Sequence, residues 1–194
     1  MSSFFPEIYY IDFLIERGSA YGLEGTVQYQ KKRFFAWMAY SLAKTQRFDG
    51  LQYYAPHYDR RHDLNLLSSY TLGKDLAFKL QGRWHYGSGF PFTPTGGFYE
   101  KLQLESLHGE DILWENGLLG ISFGDYNSAR LPDFHRLDLS LKYTYSFGAS
   151  QSIEATLSCS NVYNRNNLFY YDRLTYDRKD QLPILISGGI IWRF

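Results

Sequence analysis

Apolar and polar residues alternate with a period of two along most of this chain, the spacing of strands whose two faces meet different surroundings. Residues 136–147 show it most clearly. Leu137, Leu139, Leu141, Tyr143, Tyr145 and Phe147 fall on one side, and Arg136, Asp138, Ser140, Lys142, Thr144 and Ser146 on the other. A helix would scatter both sets around its circumference, so this segment is a strand. The same alternation predicts strands over residues 21–30, 64–72, 76–86, 153–160 and 184–194. Residues 33–43 read as a strand with aromatics on both sides (Phe34, Phe35, Trp37, Tyr40), which leaves its orientation open. Residues 8–15 read either as an eighth strand or as loop.

The connections add a second regularity. Short turns at residues 31–32, 73–75 and 148–150 alternate with long connections at 45–61, 88–133 and 165–182. Outer-membrane barrels alternate in this way, with short periplasmic turns and long extracellular loops, whereas a soluble sandwich gives no reason for it. The last strand ends on the short-turn side. Its apolar face (Ile184, Ile186, Gly188, Ile190, Trp192, Phe194) runs to the final residue, which suits lipid contact with Trp192 and Phe194 at an interfacial aromatic belt. The long connections carry Tyr53, Tyr54, Tyr58, Phe90, Phe92, Phe98, Tyr99, Tyr170, Tyr171 and Tyr176. These either line a ligand vestibule or pack the loops on one another and on the rim.

Composition narrows the class. Aromatics make up 19% of the 194 residues, with 18 Tyr and 15 Phe, and formal charges cancel to zero. A neutral balance gives no electrostatic case for nucleic acid as a partner. A mean hydropathy of -0.38 argues against a spanning helix. It leaves a spanning barrel open, because barrel strands place every second residue on a polar interior. Cys159 is the single cysteine, so no disulfide forms within the chain. The opening residues, Met1-Ser2-Ser3-Phe4-Phe5-Pro6, lack the basic start, apolar core and cleavage site of an export signal.

Candidate chemistry is sparse. His57, Asp59, His62 and Asp63 have the residue types of a metal site, but Arg60 and Arg61 between them oppose a cation. His85, His135, Asp138, Glu154 and Ser158 invite a hydrolase reading, yet no nucleophile-elbow motif occurs, and all read as residues of the polar, interior-facing positions. We expect no catalytic residues, no metal and no cofactor. Glu24, Arg83, Arg136, Asp138, Lys142, Glu154 and Arg193 are the stronger candidates, as a polar lumen wall. They serve contact with whatever fills a barrel, or pairing between neighbouring strands, and both uses are compatible.

Six stretches carry a family likeness: Ala20-Tyr21-Gly22-Leu23-Glu24-Gly25, Tyr58-Asp59-Arg60-Arg61-His62-Asp63-Leu64, Tyr86-Gly87-Ser88-Gly89-Phe90-Pro91-Phe92-Thr93, Leu131-Pro132-Asp133-Phe134-His135-Arg136-Leu137-Asp138-Leu139, Asn161-Val162-Tyr163-Asn164-Arg165-Asn166-Asn167 and Ile191-Trp192-Arg193-Phe194. In order and spacing they resemble the C-terminal barrel wall of TonB-dependent outer-membrane receptors of the kind common in the Bacteroidetes–Chlorobi group. The resemblance implies an all-β fold, an antiparallel transmembrane β-barrel wall of about seven or eight meandering strands within a barrel of about 22 strands that encloses a plug. It implies uptake of a scarce nutrient (a siderophore, cobalamin or a glycan-like ligand) at the cell outer membrane. Implied partners are outer-membrane lipid, the remaining barrel and plug, TonB through that plug, and the barrel-assembly machinery, which would recognise Trp192 and Phe194 as a C-terminal signal. The likeness covers the wall only, so residues 1–194 read as the C-terminal portion of such a receptor, a fragment without plug or signal peptide. A self-contained eight-stranded barrel acting as an adhesin or surface-binding protein is the alternative, and requires residues 8–15 to pair with the last strand. An outer-membrane hydrolase dependent on His135 or His85 ranks behind both.

Overall fold

The computed structural model describes residues 16–73, 77–101, 118–147, 151–175 and 177–194; within them the chain is all-β and contains no helix. Seven long strands form an antiparallel meander: β1 (Arg17–Lys31), β2 (Phe34–Phe48), β4 (His62–Leu72), β5 (Phe78–Gly87), β10 (Phe134–Phe147), β11 (Gln151–Ser160) and β14 (Leu185–Arg193). Among themselves, the long strands pair only with their neighbours in sequence, so the order is β1-β2-β4-β5-β10-β11-β14. All seven strands anticipated from alternation are present. β1 and β2 run 15 residues each, past the anticipated ends. Residues 8–15 and 148–150 lie outside the described residues, as do 74–76.

The first tight turn follows from local chemistry. Lys32 takes φ 52°, the left-handed conformation a two-residue hairpin loop demands.

The long connections are not bare loops. β3 (Tyr53–Tyr54) pairs with the end of β2. Within the second connection, β6 (Pro91–Phe92) pairs with β9 (Ala129–Arg130), and β7 (Thr95–Lys101) with β8 (Leu118–Phe123). The third holds the hairpin of β12 (Leu168–Tyr171) and β13 (Arg178–Asp180). These segments are too short for a period-two signal to stand out from turn-rich sequence.

Register settles the faces. Residues directly opposite in an antiparallel pair share a side of the sheet. One line runs Gly25–Tyr40–Leu64–Tyr86–His135 and another Lys31–Phe34–Tyr70–Leu80–Leu141–Leu157–Gly188. One face is therefore apolar across all seven strands, and β2, left open by its sequence, presents Phe34, Ala36, Met38, Tyr40 and Leu42 to it. The opposite face carries rows such as Gln30–Phe35–Ser69–Gln81–Ser140–Ser158–Ser187.

Burial is inverted relative to a soluble domain. Among the described residues, the large apolar side chain that is buried is Tyr54, whereas Asp59, Ser88, Glu154, Asn161 and Asn167 are all buried polar groups. On the apolar face Leu23 is 75% exposed, Ile190 79% and Trp192 61%.

Candidate functional site

The polar face gathers several of the sequence candidates. On β11, Glu154 is 6% exposed and its Oε2 lies 2.7 Å from Lys142 Nζ of β10 and 3.3 Å from Arg193 Nη1 of β14. Register explains the convergence. Glu154 stands opposite Thr144 and Ile191, so Lys142 and Arg193 reach it diagonally from both flanking strands. Arg136 pairs with Asp138 on the same strand at 2.9 Å, and Asp138 Oδ1 accepts the Asn161 amide at 2.9 Å. Arg83 stands directly opposite Asp138 and Glu24 opposite Ser41, and neither makes an ion pair among the described residues. Trp192 and Phe194 are in edge contact, ring centroids 5.9 Å apart, both exposed.

A further cluster on the polar face escaped the sequence reading. Asp63 of β4 accepts hydrogen bonds from Arg60 (2.9 Å) and Asn65 (2.7 Å), and its Oδ2 lies 3.1 Å from His85 Nε2 of β5. The Arg60 guanidinium also sits 4.3 Å over the Phe90 ring. The only sequence signal was the run of charges from Asp59 to Asp63. The metal-like set is divided between separate partners: Asp59 with Arg130 and Arg61, Asp63 with Arg60 and His85, His62 with the Tyr40 hydroxyl, and His57 against the Tyr58 ring.

The hydrolase set does not assemble as a group. His135 lies on the apolar face, in line with Tyr86, and its Nδ1 is 2.7 Å from the Tyr163 hydroxyl. Asp138, Glu154 and Ser158 are on the other face. Its interior-facing assignment is thus corrected: odd residues of β10 are apolar-side residues, and 135 is odd.

Where the strands meet the long connections, buried polar residues tie the chain together. Asp59 Oδ1 accepts the Thr45 amide at 2.7 Å, and Oδ2 accepts Arg130 Nη2 at 2.5 Å. Arg130 Nη1 donates to the carbonyls of Asp59 (3.2 Å) and Gly89 (3.0 Å), so one ion pair clamps the first two long connections. Asn161, at φ 53°, accepts the Arg165 amide and donates to the carbonyls of Arg165 and Leu182. Asn is among the few residues that tolerate this conformation. Asn167 bonds both backbone groups of His135, accepting from its amide (3.2 Å) and donating to its carbonyl (2.9 Å). Asp133 accepts the Tyr86 hydroxyl at 2.7 Å and the Gly89 amide at 3.1 Å. The Tyr86 bond, against a desolvation penalty and with help from the Gly89 amide, holds its carboxyl below the usual range.

Some loop aromatics pack within the connections and others line an open cleft. Tyr54 packs edge-on against Tyr126 and donates to Glu16, Tyr53 packs on Phe48, and Tyr99 covers Gly120. In contrast, Phe92, Tyr170 and Tyr171 line a cleft of about 440 Å³ between the second and third long connections, together with Leu131, Phe169 and Arg173. Tyr176 lies outside the described residues. Comparison with known proteins finds no matching family model, curated protein or solved structure.

Proposed function

We propose that the seven-stranded sheet is a length of outer-membrane β-barrel wall belonging to a TonB-dependent nutrient receptor, with its long connections outside the cell and its polar face toward the barrel interior. The observation that carries the membrane part is the continuous, exposed apolar face bordered by aromatics at both ends. Toward the short turns the border runs Tyr29, then Phe34 and Tyr70, then Phe78 and Tyr143, then Tyr145 and Trp192. Toward the long connections stand Tyr21, Tyr40, Trp84 and Tyr86.

The short-turn border slips by one residue per strand crossed. At about 3.3 Å per residue and about 4.8 Å between strands, that is a tilt of about 35°. Transmembrane barrel strands tilt by about 35–45°, so a level belt would slip in this way. Tyr21 and Tyr29 bracket Leu23, Gly25 and Val27 and stand about 26 Å apart along β1. Tilted by about 35°, that becomes about 21 Å of height, close to the roughly 25 Å apolar band of such barrels. Among the described residues the outer edges of β1 and β14 carry no partner strand. Hydrocarbon cannot satisfy an open edge, which supports further strands on both sides and thus a larger barrel. The receptor assignment rests on the six family-like sequence stretches, and places the 440 Å³ aromatic cleft on the ligand-facing side.

Cysteine scanning in isolated outer membranes tests the wall. In a Cys159→Ser background, cysteines at Leu23, Leu139 and Ile190 should resist a water-soluble maleimide at least tenfold more than cysteines at Thr26, Ser140 and Ser187. Equal rates on the two faces reject it. Uptake tests the receptor: deletion of the gene should abolish energy-dependent import of one siderophore, cobalamin or glycan. Unchanged import of all three classes rejects that assignment.

A further inference from the structure

The polar face is charged unevenly. On the short-turn side of its serine row (Ser69, Ser140, Ser158, Ser187), the described residues place Lys32, Arg33, Lys79, Lys142 and Arg193 against Glu154 alone. Lys142 and Arg193 both converge on that one carboxylate. Lys79 is half-buried, has no ion-pair partner among the described residues, and stands directly opposite Lys142, a like-charge pair that costs stability in a sheet. Beside it is a pocket of about 370 Å³ lined by Lys32, Arg33, Lys79, Phe35 and Leu67, with Gln30, Gln81, Ser69 and Thr71 also at its wall and no carboxylate among its lining residues. Phe35 and Leu67, with Trp37 opposite Leu67, form an apolar island among the polar residues at this end of the face.

We propose that this end of the polar face docks an acidic polypeptide segment, which places carboxylates on Lys32, Arg33 and Lys79 and an apolar side chain on the Phe35–Leu67 island. The inference rests on the wall reading, because it takes the polar face as an enclosed interior. Charge complementarity selects the partner: a segment bearing at least two carboxylates offsets the unbalanced cations, and away from bulk water such pairing is screened little. The apolar floor selects a mixed acidic and apolar segment over a free inorganic anion, which would gain nothing from Phe35 and Leu67.

The test uses the full chain in its native membrane. A water-soluble carbodiimide joins a lysine amine to a carboxylate in contact with it, with loss of water as an amide, and mass spectrometry locates the bond. Lys32 and Lys79 should couple to Asp or Glu residues of one segment that also carries a large apolar residue. Lys79→Gln should lower the coupling at Lys32 at least threefold, whereas Lys79→Arg, which preserves the charge, should leave it unchanged. The inference is overturned if Lys32 and Lys79 are acetylated by a soluble reagent as fast as Lys179 of the third long connection. Protection without any coupling, the outcome for a phosphate or lipid headgroup, overturns it too. Cysteines at Leu157 and Ser158, neighbours on β11 outside the pocket lining, separate the two failures. If both react alike with maleimide, the wall reading falls; if Ser158 alone reacts and the lysines stay uncoupled, only the docking falls.

Discussion

The seven-stranded sheet and the layer of long connections above it use opposite surroundings for the same residue types. On the sheet, Leu, Ile, Val and Tyr side chains point outward with little of their own to cover them, as Leu23 and Ile190 show. In the connections, Asp59, Asn161 and Asn167 are buried and Leu51, 93% exposed, is not. The difference shows where each region draws its stability. The sheet is held by backbone ladders and by what covers its apolar face, whereas the connections are held by a few polar residues that replace missing backbone partners.

The comparison predicts its own breaking points. The largest effect should come from a charge placed on the apolar face. Leu139→Arg should cost about 2–4 kcal/mol in lipid, and Ser140→Arg, one residue along the same strand, should cost little. Denaturant unfolding from vesicles measures both, and equal losses would erase the distinction between faces. Next is Asp59→Asn, which removes the charge from a buried pair whose partner Arg130 remains 36% exposed and can rehydrate. A loss of about 2 kcal/mol is expected from charged hydrogen bonding, with proteolysis appearing first in the connections and not in the strands. Asn161→Ala should cost about 1–2 kcal/mol through lost hydrogen bonds and a strained left-handed backbone, whereas Asn161→Gly should recover the backbone part.

The smallest effect is one of pH. Asp133 is held below its ordinary range in the fold, so its contribution is complete above the unfolded value, about 3.9, and is lost as pH falls through the lower folded value. Tyr86→Phe removes the main cause, so the acid limb of stability should flatten. An unchanged acid limb would show that this bond does not couple to folding.

Much of the sheet was legible because a period of two is a local signal. The alternation in residues 136–147 already separates the two faces of β10, and its parity puts His135 on the apolar side, against what the polarity of its ring suggests. The orientation of β2 was not legible: Phe34 and Phe35 are alike in type, and only pairing with β1 and β4 assigns them to different faces. Nor were the clamps. Asp59 and Arg130 are 71 residues apart, and no local pattern joins them. The Lys142–Glu154–Arg193 convergence lies between these cases, since alternation supplied the shared face and register alone supplied the contact.

Asn167 has a consequence for how the molecule avoids unwanted neighbours. Toward the long connections β11 ends at Ser160 while β10 continues to Phe134, leaving backbone groups of His135 and Leu137 without a ladder strand. The Leu137 carbonyl takes the Val162 amide at 2.8 Å, and the Asn167 side chain takes both groups of His135, standing in for one peptide unit of a strand. That stretch of edge is therefore closed to invasion by a foreign strand. Replacing one amide side chain would expose an adhesive seam at the long-connection end of the sheet, where a second molecule could exchange strands with the first.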